Sequence, residues 1–123
     1  MPDAADILAK VQAKVKNKKA KAKPLPEEPT GTKSKKLDGK MAAALKESFG
    51  SNFSQVKIHT GGNAGELAKG LKAQAFAIGY DVYFGKPAGA NDLSLVAHEL
   101  THIAQFGGGK IKPAQKGKAL VSK

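Results

Sequence analysis

Residues 92–106 read DLSLVAHELTHIAQF, and the fold turns on how this stretch is placed. Leu93, Leu95, Val96, Leu100, Ile103, Ala104 and Phe106 recur at helical spacing and cover much of the helix circumference. A helix apolar on nearly every side belongs at the centre of a domain. Asn91 or Asp92 supplies its N-cap, and Gly107-Gly108-Gly109 ends it. Inside this apolar helix stands His98-Glu99-Leu100-Thr101-His102, an HExxH. Residues four apart share one face, so both imidazoles can reach one Zn²⁺ at about 2.0–2.1 Å. Glu99 then lies beside the ion, where a carboxylate can take the proton of an attacking water. The competing reading is a hydrogen-bonded cluster in the core. Burying three polar groups without partners is costly, which favours metal binding.

A zinc site needs a third protein ligand. Residues 103–123 contain no His, Asp or Glu, so that ligand must come from upstream or from a partner. The upstream candidates are His59, Glu66, Asp81 and Asp92, and His59 is the only other histidine. Tyr80 and Tyr83 can each offer a phenolic donor to an oxyanion, or serve only to pack a hairpin.

Around this helix the chain reads as alternating short elements. Leu37, Met41, Leu45 and Phe49 mark one helical face that stops at Gly50. Val56-Lys57-Ile58-His59 alternates like a strand and runs into a Thr60-Gly61-Gly62-Asn63 turn. Asn63 is placed to cap a helix over residues 64–72. Residues 75–78 and 81–84, joined through Gly79-Tyr80, form a β-hairpin, and residues 85–91 a loop.

The chain has 123 residues, enough for one domain, and its 21 basic residues are all lysine against 10 acids, a formal net charge of +11. Without cysteine, disulfides, thiolate metal sites and Cys nucleophiles are excluded. No apolar run nears the roughly 18 residues of a membrane span. No secretory h-region opens the chain, so a cytoplasmic product exported by another route is expected. Residues 1–40 hold 11 Lys and 5 acids, residues 41–109 hold 5 of each, and residues 110–123 hold 5 Lys and no acid. The basicity belongs to the two ends. Residues 3–20 start a helix with a thin stripe of Ile7, Leu8, Val11 and Val15 that needs a partner surface. Residues 21–36, with three prolines, have linker composition. The expected organisation is a lysine-rich helix and linker over 1–36, a domain over 37–109 and a basic tail over 110–123, both ends flexible. Neither end has arginine or interleaved aromatics, so a nucleic-acid role is not expected.

The stretch 41–109 resembles the core domain of extracellular contractile injection systems. The matching pieces are MAAALKESFGSNFSQVKIHTG, ELAKGLKAQAF, AIGYDVYFG and LVAHELTHIAQ, in that order and spacing. The resemblance implies a zinc metallopeptidase-like domain with His98, Glu99 and His102 as its HExxH. It maps the family's His-Thr-Gly onto His59, Thr60 and Gly61, which raises His59 as a metal-site or site-lining residue. It also implies association with phage-tail-like injection particles, as effector or cargo. The expectation is therefore a small α+β, zincin-like domain in which the HExxH helix packs on a short hairpin or sheet. In it Glu99 is catalytic, and His98, His102 and His59 hold zinc. The peptide or protein substrate meets Tyr80 and Tyr83. The alternative is a non-catalytic cargo or adaptor, docked in the injection tube through its basic arms.

Overall fold

Two of the short alternating stretches lie side by side and seed a sheet that the sequence reading had made too small. The computed structural model describes residues 3–15 and 20–121. The helices are α1 (Ala4–Val15), α2 (Gly39–Phe49), α3 (Ala64–Gly70), α4 (Pro87–Ala90) and α5 (Leu93–Phe106). The strands are β1 (Lys21–Pro24), β2 (Thr32–Lys36), β3 (Lys57–Gly61), β4 (Ala75–Ile78), β5 (Asp81–Phe84) and β6 (Lys118–Val121). The six strands form one sheet in the order β1-β6-β4-β5-β3-β2, antiparallel except for the parallel β3–β5 pair. The architecture is mixed α+β.

Side chains alternate across a strand, so each strand feeds two faces. Ile58, Ala75, Ala77, Val82 and Phe84 point into the larger core, where they meet Val96, Leu100 and Ile103 of α5 and Met41 and Leu45 of α2. Phe76, Ala119 and Val121 point the other way and pack with Leu67, Ala68 and Leu71 of the α3 region. The helix ends follow ordinary capping chemistry. Asp38 accepts from the Met41 N–H at the start of α2, and Gly50 closes it at φ 79°, a conformation that only glycine adopts without strain. Asp92 accepts from the Ser94 and Leu95 N–H groups at the start of α5.

Three expectations are corrected. First, residues 21–36 are not a linker: they hold β1 and β2, the two edge strands. Lysine and proline are what edge strands carry to block further pairing, so a strand here looks like a linker by composition. Second, the tail is not a free extension. Its β6 lies inside the sheet between β1 and β4, with Ile111, Ala119 and Val121 buried. Third, Asn63 holds the N-cap position of α3, but its side chain makes no capping hydrogen bond there. Its side chain instead accepts from the Thr30 N–H and donates to the Glu28 carbonyl, tying the β1–β2 connection to the end of β3. Gly62 makes that crossing possible, since a Cβ there would sit 2.0 Å from the Thr30 carbonyl oxygen. The first helix does find its partner surface: Ala4 and Leu8 are buried in the larger core, and α1 packs on α5 and α2. Residues 16–19 of the expected longer helix lie outside the described residues.

Candidate functional site

The HExxH lies on α5 at the meeting of α1 and the turn that leads into β4. His98 and His102 are one helical turn apart, and their Nε2 atoms are 3.1 Å apart with the rings edge to face. His102 is 1% exposed and Glu99 4%, while His98 is half-buried. The carbonyl of His102 accepts from the Ala20 N–H, so the chain entering β1 is fastened to the motif helix. Two imidazole nitrogens converging in this way suit two ligands of one tetrahedral ion at about 2.0–2.1 Å. In the absence of an ion they share a hydrogen bond.

A cavity of about 510 Å³ opens beside the pair. α1 contributes Val11 and Lys14 to its wall, the turn after α3 contributes Lys72, Ala73 and Gln74, and α5 contributes Asp92, Ser94, Leu95, His98 and Glu99. Lys72 stands at φ 57°, a left-handed conformation that a side chain adopts at a cost. Asp92 lines the cavity but is engaged in capping α5.

His59 is not brought to this pair. Alternation along β3 sends Ile58 into the larger core and His59 to the opposite face of the sheet. There its Nε2 donates to Asp81 Oδ1 at 2.8 Å, and Nδ1 is left to accept from the Thr32 hydroxyl at 3.2 Å. Its ring stacks on Tyr83 at 4.4 Å, and Tyr83 stacks in turn on Phe76 at 5.0 Å. The Tyr83 phenol is pushed above its ordinary pKa by burial first, then by the charges of Asp81 and Glu28. Neither tyrosine lines the cavity: Tyr83 belongs to this stack, and Tyr80 packs against the larger core. Of the other candidates, Asp81 is held by His59, and Glu66 is exposed on α3. Among the described residues no group of three His, Asp or Glu is gathered as metal ligands. Sequence reasoning named the pair and its carboxylate but not their neighbours in the cavity wall, Lys14, Lys72 and Gln74. Nothing local marks those three, because only the packing of α1 and the α3–β4 turn on α5 assembles them.

A small mixed α+β domain whose central helix aims two imidazoles at one point, beside a buried glutamate and an open cavity, defines the class. The chain belongs to the family of the eCIS core domain, whose model matches residues 36–110, more than half of the chain. That membership associates it with extracellular contractile injection systems. No curated protein and no solved structure matches. No helix among the described residues is long and apolar enough to cross a membrane.

Proposed function

We propose that the chain is a zincin-like metallopeptidase domain carried by a contractile injection particle. The observation that carries this reading is the 3.1 Å approach of the His98 and His102 Nε2 atoms, one turn apart on a helix that also buries Glu99. His98 and His102 would hold the zinc. When bound, zinc supplies a Lewis acid for a peptide carbonyl and lowers the pKa of water. Glu99 serves as general base, moving a proton from the attacking water to the leaving amine. The cavity beside His98 leaves room for a peptide at the pair. Eight residues lie outside the described ones, and none is His, Asp or Glu. The third ligand is therefore expected from a docked partner or from a rearranged carboxylate. The test is metal analysis of protein purified without a histidine tag, alone and with particle components. About one zinc per chain, lost in His98→Ala and His102→Ala, supports the reading. Absence of zinc in both preparations rejects it.

The second reading is a non-catalytic cargo or adaptor docked on tube protein. What favours it is the incomplete ligand set, together with lysines fixed along both edges of the sheet in β1 and β2. Particle loading that is unaffected by His98→Ala and weakened by lysine-to-glutamine changes in β1 and β2 would support it over the first.

A further inference from the structure

A second cavity adjoins the one beside His98. That second cavity, of about 540 Å³, shares Ala73, Gln74 and Leu95 with the first. It extends away from the histidines toward α3 and α4, and its wall includes Gly65, Gly85 and Gly89. Side chains at these glycines would be crowded: a Cβ on Gly65 would lie 3.1 Å from the Gly85 carbonyl oxygen, and one on Gly89 would lie 3.0 Å from Leu95. With Ala68, Ala73 and Ala88 they keep much of the far wall low, as suits an extended chain lying close. Its charged wall residues, Lys69 and Lys86, are both exposed lysines. The near half adds exposed Lys14 and Lys72. In the near half Asp92 keeps its charge while it caps α5 and Glu99 is buried, so the excess of positive charge lies in the far half, at Lys69 and Lys86.

We infer that the two cavities form one groove for an extended acidic peptide, with Lys14 and Lys72 flanking the HExxH end and Lys69 and Lys86 flanking the far end. This deepens the peptidase reading and rests on it for the chemistry, though not for the binding. Four cations along a groove select aspartate and glutamate side chains by charge. A nucleic acid is a poorer fit, because no aromatic side chain lines either cavity to stack a base.

The test is binding of a labelled twelve-residue peptide of alternating Glu and Ala to the metal-free full chain near physiological salt, followed by anisotropy. Its Gln-Ala counterpart is the reference. The acidic peptide is expected to bind at least about tenfold more tightly. Lys69→Glu with Lys86→Glu should remove about tenfold of affinity, a sum of modest exposed pairs. Lys116→Glu with Lys118→Glu, at positions that line neither cavity, should change affinity less than about twofold. Equal losses from the two double variants would overturn the groove and assign the attraction to net charge. Equal binding of both peptides would also overturn it, as would displacement by duplex DNA at matched charge. Zinc is then added to the same samples. Charge-selective binding without cleavage supports the groove on its own account, because the peptidase is decided separately by the zinc analysis with particle components.

Discussion

Glu99 is the residue where packing and chemistry make opposite demands. A carboxylate at 4% exposure is expensive to keep unless it works with its neighbours on the helix. Glu99→Gln keeps the shape and removes the base. It is expected to retain zinc and to lower kcat/KM for any cleaved peptide by about 10²–10⁴-fold. Unchanged cleavage would reject Glu99 as base. Tyr83 gives a second residue-level expectation. Its folded pKa lies above the ordinary value, so the folded state keeps that proton to higher pH than the unfolded chain. Its contribution to stability is therefore whole below about pH 10 and fades as pH rises through the folded value. In Tyr80→Phe protein the single remaining phenol should ionise above pH 10, and Asp81→Asn should lower that midpoint only part of the way, because burial is the larger cause. A midpoint at or below 10 would contradict the stack. The HExxH was legible because i and i+4 must share a helix face whatever surrounds them. The side taken by His59 was legible too: once Ile58 is core, strand alternation sends its neighbour to the reverse face. Naming His59 from its residue type and the His-Thr-Gly resemblance leaves that alternation out of account.

At the scale of elements, the hairpin, α2 and α5 were readable because their signals are local: two short apolar runs joined by Gly79, a stop at Gly50 and a cap at Asp92. β1 and β6 were not. Lys21 pairs with Val121 across almost the whole chain, and a four-residue strand whose partner lies so far away leaves little pattern nearby. The partner surface that the thin stripe of α1 needs is α5 and α2, which its own sequence does not name. Leu8→Ala should cost about 2–5 kcal/mol of unfolding free energy in urea, because Leu8 is 3% exposed in the larger core. A cost below about 0.5 kcal/mol would restore the view of α1 as a loose arm. Amides of β6 should likewise be protected from hydrogen exchange, where a free tail would exchange at the rate of an unfolded chain.

For the whole molecule, composition suggests a domain over 37–109 with two flexible ends, a core small enough to be marginally stable. The arms instead supply three of the six strands and Ala4, Leu8, Ala20 and Ile111 of the larger core. The fold should therefore unfold cooperatively in chelator. Zinc at 100 times its Kd should still add about 2.7 kcal/mol, an increment that His98→Ala removes. Collapse of the metal-free protein would show that the two hydrophobic clusters are insufficient. The pairing of β1 with β6 also has a mechanical consequence. Lys21 opposes Val121, so the entrance of β1 and the exit of β6 leave the sheet at the same end. Tension applied between those two points would peel the ladder rung by rung instead of shearing all rungs together. A chain stable to urea should therefore open at low force in an optical trap when held at those points. A hauling device that gripped it there could unravel the sheet from one corner.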